Sequence, residues 1–218
     1  MKKALKIIGF VGLPGSGKSV ASDVARKMGL TVLVMGDVIR LEAAKLGLQP
    51  NDESLGMVGN MLRAQDGPQA VAQRILEKAK STGEDTIIVD GLRSKAEADF
   101  FRAHSEEFHL VEIHAPGDSR LRWIMNRGRS DDPVHGGGDA AGDAVGDKDR
   151  ISSGPDNGQT VAALAKRDDR EQGWGICEAI GEADLKLSNE GDLQSFRRSV
   201  QMLLEELAFG SSKKIPKI

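Results

Sequence analysis

Gly12-Leu13-Pro14-Gly15-Ser16-Gly17-Lys18-Ser19 follows the G-x-x-x-x-G-K-[ST] pattern of a phosphate-binding loop. Each fixed position has a physical task. The glycines let the backbone curl so that successive N–H groups face one anion. Lys18 brings a mobile positive charge to the outer phosphates. Ser19 offers a hydroxyl to Mg²⁺ and opens a helix whose positive end faces the same anion. The flanks agree. Leu5-Lys6-Ile7-Ile8-Gly9-Phe10-Val11 is a short apolar run, as a buried parallel strand requires. Val20, Ala21, Val24, Ala25 and Met28 then share one helical face, and Gly29 stands where such a helix ends.

Working outward, strand and helix signals alternate. Residues 31–35, 86–89, 108–113 and 183–188 read as further strands, the last as an edge strand because its character is mixed. Helices are predicted over 37–45, 51–64, from Gly67-Pro68 to about 79, and over 193–207. The fold class is therefore α/β: a three-layer P-loop NTPase fold, with a five-stranded, mostly parallel sheet, helices on both sides and a lid insertion. Ligands of such sheets lie beyond the carboxyl ends of the strands. That rule brings the loop at 12–19, Gly36-Asp37 and Asp90-Gly91 to one edge.

Composition narrows the function. Charged residues make up 29% of the chain and the net charge is −3, so no general attraction to nucleic acid is expected. Aromatics are 4% with no tyrosine, which speaks against a base-stacking platform of the single-strand-binding kind. The single cysteine, Cys177, reads as a small buried side chain. The four histidines have no zinc-ligand spacing. No apolar run is long enough to span a bilayer, and Met1-Lys2-Lys3 lacks the continuation of a signal peptide. A cytoplasmic protein is expected. Residues 1–209 read as one domain with a short basic tail over 210–218. The Gly/Asp-rich stretch 134–160 reads as a mobile insertion, because it has almost no apolar side chains to offset ordering entropy.

Asp90 ends the apolar run 86–89, where a carboxylate reaches the Mg²⁺ shell in P-loop proteins. Arg93, three residues on, can face the same cavity. Gly36-Asp37-Val38-Ile39-Arg40 and Asp90-Gly91-Leu92-Arg93 resemble the G-D-hydrophobic-hydrophobic-R and D-G-x-x-R segments of adenylate kinase, the second one residue shorter. That resemblance implies that Arg40 and Arg93 grip the phosphate of an acceptor nucleotide, within acceptor-binding helices at about 37–81. The segment Arg127-Gly128-Arg129-Ser130-Asp131-Asp132-Pro133 looks like the base of a nucleoside monophosphate kinase lid. Lys166-Arg167-Asp168-Asp169-Arg170 would be the returning lid helix, the lid spanning about 128–166. Asn189-Glu190-Gly191-Asp192-Leu193 is similar to the N-x-G-x-L turn of dephospho-CoA kinase, which implies that Asn189 lies near adenine. Over nearly all its length except 134–160 and the tail, the chain resembles an archaeal family of nucleotide-kinase-like P-loop proteins related to these two enzymes.

The resemblance implies transfer of the γ-phosphoryl of ATP to a small nucleotide-like acceptor. Lys18, Mg²⁺ held through Ser19 and Asp90, and lid residues Arg127, Arg129 and Arg167 would neutralise transition-state charge. Gly12, Leu13, Pro14, Gly15, Ser16, Gly17, Lys18 and Ser19 would bind ATP. No N-K-x-D guanine-reading sequence is present, which favours ATP over GTP. Asp37 would act as base for a hydroxyl acceptor, as in dephospho-CoA kinase, and would only orient Arg40 for a phosphate acceptor. A nucleotide-dependent switch or ATPase that phosphorylates nothing is the competing class.

Overall fold

The computed structural model describes residues 4–127 and 157–210. The expected Gly/Asp-rich insertion up to residue 156, Arg129, the side chain of Arg127 and the tail from 211 lie outside the described residues. The sheet has five strands: β1 (Lys6–Val11), β2 (Thr31–Val34), β3 (Thr86–Leu92), β4 (Glu107–His114) and β5 (Leu185–Ser188). Their order is β2-β3-β1-β4-β5, and every pairing is parallel. β5 is an edge strand, as its mixed character predicts. β1 lies in the centre with Ile7, Ile8, Phe10 and Val11 fully buried, which is why it reads as an unbroken apolar run.

Helices cover both faces. α1 (Lys18–Lys27) and the last helix, Leu193–Phe209, pack with Ile8, Phe10, Val111 and Ile113 in one apolar layer. The other layer joins Ile7, Val89 and Leu110 to α2 (Met35–Lys45), α3 (Asp52–Asp66), α4 (Ala70–Thr82), α5 (Lys95–His104) and a short helix at Ile176–Gly181. α6 (Gly117–Arg127) and α7 (Asn157–Gly173) follow β4; with Ile176–Gly181 as α8, the last helix is α9.

Several boundaries differ from the sequence expectation. Met35 starts α2 and does not end β2. Gly67, with φ of 90°, closes α3, and α4 begins at Ala70, since Pro68 cannot continue a helix. β3 runs on to Leu92, because Gly91 adopts φ of 92° and the register against β1 shifts there. This bulge lets one strand carry both Asp90 and the approach to Arg93. α7 begins at Asn157, so residues 157–160, expected within the insertion, are helical. α5 and α8 were not expected. α5 is marked in the chain by Ser94 and Glu97: the Ser94 hydroxyl caps the Glu97 N–H at 3.2 Å. Cys177 is exposed and not buried. No described helix is long and apolar enough to cross a membrane.

Candidate functional site

The loop between β1 and α1 is shaped by what cannot fit. At Gly12, with φ of 150°, a Cβ would overlap the Ile113 carbonyl of β4. At Gly17, with φ of 107°, it would overlap the Asn189 amide. Glycine alone satisfies both the backbone and the space. Neighbouring segments then hold the loop from outside. Asn189 Nδ2, at the end of β5, donates to the Ser16 carbonyl at 3.0 Å. Arg120 Nη1, on α6, donates to the Pro14 carbonyl at 2.9 Å, and the same guanidinium pairs with Asp168 of α7 at 2.7 Å. Asn189 therefore orients the loop.

Inside the loop two polar groups are held in unusual surroundings. Ser16 Oγ is buried and has no hydrogen-bond partner among the described residues, a state that costs about 1–3 kcal/mol. Lys18 Nζ folds back onto the carbonyl oxygens of Gly12 and Leu13, the latter at 3.1 Å. Burial lowers its pKa from 10.5 to about 8; Glu171 and Asp90 pull against that, while Arg93 and Arg167 add to it. A polyanion would give the lysine a partner in place of the loop's own carbonyls.

A cavity of about 510 Å³ opens over residues 14–19. Asp90, Arg93, Trp123, Arg167, Glu171 and Asn189 line it, along with Ser19 and Arg40. Asp90 accepts from the Ser22 hydroxyl at 2.7 Å, which fixes the carboxylate beside α1. A narrower pocket of about 40 Å³ adjoins it, between α2, α3 and α7. Gly36, Arg40, Gly91, Arg93 and Arg167 line both spaces, so the two share a wall. The structure thus brings the loop, Asp90, Arg40, Arg93 and Arg167 together. Asp37 lines neither space; it pairs with Arg40 Nη1 at 2.6 Å on the outer side of α2.

The second pocket is built largely from residues that sequence reasoning left without roles. Arg63 and Arg170 line it with Trp174, and both cations lie over the indole, at 4.4 and 5.5 Å from its centre. Arg93 approaches the same ring at 5.6 Å. Asp52 binds Arg170 through both oxygens at 2.8 and 2.9 Å. Burial favours the neutral Asp52 carboxyl, yet the Arg170 hydrogen bonds and charge prevail and lower its pKa. Gly56 and Gly59 leave room on α3 for Arg170 and Trp174. Glu97, wholly buried, holds Arg63 at 2.7 Å and accepts from the Arg93 backbone N–H at 2.8 Å.

Glu171 lines the phosphate-loop cavity beside the shared wall. It is 1% exposed and lies 3.4 Å from Arg93 Nη1 and 3.5 Å from Arg167 Nε. Burial works to raise its pKa, but Arg93, Arg167 and Lys18 outweigh burial and hold the carboxyl below its ordinary value. Burial likewise lowers the Arg93 pKa, against the pull of Glu171. Cations from α1 (Lys18), from the residue just after β3 (Arg93) and from α7 (Arg167) therefore act on one carboxylate. Among the described residues, no cluster of three or more His, Cys, Asp or Glu side chains is grouped to hold a metal.

Known proteins bear on this geometry. The AAA domain family matches residues 11–135, the stretch from the end of β1 through α6. A UPF0200 protein from Methanothrix thermoacetophila is 47% identical over 203 residues, covering 93% of this chain and 98% of its own. The chain belongs to the UPF0200 family. Another UPF0200 protein, from Methanosarcina mazei, is 39% identical and covers 92% of this chain and 94% of its own length. Among solved structures, TT1252 from Thermus thermophilus aligns with a TM-score of 0.52 at 19% identity, over 94% of this chain and 99% of that one. A protein from Eubacterium ventriosum aligns at 0.55 and 13% identity, over 93% and 98%. At those identities the likeness concerns the fold. The UPF0200 chain thus has a P-loop NTPase fold, with its loop and cavity at the carboxyl edge of the sheet.

Proposed function

We propose that the protein is a phosphotransferase that moves the γ-phosphoryl group of ATP to a small, nucleotide-like acceptor carrying a phosphate. One observation supports this above the rest: a phosphate-loop cavity and an arginine-lined pocket share a wall made by Arg40, Arg93 and Arg167. A nucleotide switch needs the first space alone. Two anions bound on either side of that wall would have their reacting groups brought together, and positioning is most of what phosphoryl transfer asks of a protein.

The donor would lie along residues 12–19, its phosphates taking the loop N–H groups and Lys18. Mg²⁺ fits the residues present: Ser19 and Asp90 line the same cavity, and this ion is commonly held by one or two protein oxygens plus the phosphates it accompanies. When bound, it would neutralise charge on the phosphates. Arg93 and Arg167 line both spaces and would stabilise charge on the group in transit. The pocket would close round the acceptor phosphate with Arg40, Arg63 and Arg170. Arg127 and Arg129 are proposed to act from the lid.

An acceptor phosphate is already anionic and needs no base. That suits Asp37, which lines neither space. A hydroxyl acceptor of the dephospho-CoA type would need a proton acceptor in reach of it. ADP release measured with ATP alone, and then with nucleoside monophosphates and dephospho-CoA, tests the proposal. Turnover stimulated by a monophosphate is the expected result. Slow hydrolysis indifferent to every acceptor would favour a switch instead.

A further inference from the structure

Glu97 is fully buried, yet it lines neither of the two joined spaces. The start of α5 accounts for part of its position. Ser94 is the N-cap, and Glu97 stands three residues on, where a helix-start glutamate turns back to a backbone N–H. Its Oε2 reaches one residue beyond the cap and accepts the Arg93 N–H at 2.8 Å. A glutamine would serve that purpose as well. The negative charge is therefore not needed for capping. It goes to Arg63 of α3, whose Nη2 lies 2.7 Å from Oε1 across 34 residues of chain. A carboxylate without such a partner would be costly to bury.

Arg63 is held on three sides. Its Nη1 donates to the Gly59 carbonyl at 3.1 Å, its Nη2 donates to Glu97, and its guanidinium lies 4.4 Å from the centre of the Trp174 indole. Arg93 is held differently, by its main chain. It stands just after β3, past the register shift at Gly91, and Glu97 supplies the acceptor for its N–H. Two cations of the arginine pocket, arriving from separate elements, thus depend on the two oxygens of one carboxylate. Those cations repel. Arg63, Arg93 and Arg170 all lie within 5.6 Å of the same ring centre. Burial lowers the Arg93 pKa most; Arg63 adds to that, and Glu97 opposes it.

Resting on the reading of the arginine pocket as the acceptor site, we infer that Glu97 is its positioning residue. It touches neither substrate, and it sets where Arg63 and Arg93 meet the acceptor phosphate. Groups that grip a reacting phosphate must be held to within about 0.5 Å, and a long side chain needs locked neighbours to do so. The consequence is specific to one substrate. Asn189 and Arg120 hold the phosphate loop, and Glu97 is bonded to neither. Loss of Glu97 should weaken the hold on the acceptor and spare the hold on ATP.

Steady-state ADP release by the full chain, with ATP, Mg²⁺ and each of AMP, CMP, GMP and UMP as acceptor, tests this role. Glu97→Gln keeps an oxygen for the Arg93 N–H and removes the charge facing Arg63. It should raise the acceptor KM roughly tenfold or more, the scale of a hydrogen bond between charged groups, and leave the ATP KM within about twofold. In an Arg63→Met background the same change should add less than about twofold, because the group it acts through is gone. Glu97→Leu in that background leaves the Arg93 N–H bare, and its kcat should lie roughly tenfold below that of the Gln double variant. The double variants carry neither member of the ion pair, which covers the case of a single variant that does not fold. A residue with a merely structural role would lower the folded fraction, and with it the apparent kcat, at unchanged KM. That result overturns the inference. So does a Glu97→Gln effect of full size in the Arg63→Met background, or equal kcat for the two double variants. Wild-type protein whose ADP release no monophosphate stimulates would instead remove the acceptor reading, and this role with it.

Discussion

Arg93 Nη1 lies 3.4 Å from Glu171 Oε1, at the wall between the phosphate-loop cavity and the arginine pocket. A carboxylate so deeply buried beside several cations is their counterion. Without it, Lys18, Arg93 and Arg167 would repel one another in a space with little water.

Glu171→Gln should therefore destabilise the ligand-free protein by about 3 kcal/mol, in the range for breaking a buried ion pair from one side. Added ATP or inorganic phosphate should restore part of that loss, because an anion replaces the missing charge. Urea unfolding with and without ligand reads both effects. A variant as stable as wild type in the absence of anions would mean that Glu171 is not the counterion.

Lys18 sets a pH dependence. Its pKa is about 8 in the free protein against 10.5 unperturbed, so below pH 8 the fold carries the cost of a buried charge. That cost is relieved as pH rises from 8 towards 10.5, since the unfolded chain binds the extra proton in that window. Nucleotide binding has the opposite sign, for it needs the ammonium form. ATP affinity should fall about tenfold from pH 7 to pH 9, as the protonated fraction of such a lysine does. Lys18→Met should bind weakly at both values, with no such slope. Affinity independent of pH in the wild type would contradict this account of the loop.

Asn189→Ala removes the amide that holds the Ser16 carbonyl. The loop loses one buried hydrogen bond, worth about 1–3 kcal/mol when its partner is left bare. ATP affinity should drop roughly tenfold, and tripolyphosphate affinity should drop with it, because the loop and not the base is disturbed. Equal binding by wild type and variant would show that the loop holds its shape unaided.

Asp37→Asn distinguishes the acceptor classes. With a phosphate acceptor, turnover should stay within about threefold, since only the contact to Arg40 changes. With a hydroxyl acceptor, the loss should be about 10²-fold or more. Steady-state kinetics on an acceptor shown to stimulate ADP release gives the answer.

Much of the fold was legible because its signals are local. Ile7, Ile8 and Phe10 form an apolar run before a glycine pattern, and both follow from a few neighbouring residues. Asp90 and Arg93 could be placed by the strand-end rule. The clasp around the second pocket was not legible in this way. Arg170 meets Asp52 across 118 residues of chain, and Arg120 meets Pro14 across 106. Glu171, set in Asp168-Asp169-Arg170-Glu171, has the local look of a solvated helix face; only its approach to Arg93, distant in the chain, makes it a buried counterion. Glu97 was within reach, for Ser94-x-x-Glu97 is a helix-start signature.

The fate of the γ-phosphoryl group tests the central claim most directly. ATP labelled at that phosphorus would be incubated with the protein, Mg²⁺ and each nucleoside monophosphate, and the products separated. Label on an acceptor diphosphate, lost in Arg40→Ala and Arg93→Ala, is the result predicted here. Label recovered as inorganic phosphate alone, at a rate no acceptor changes, would contradict it.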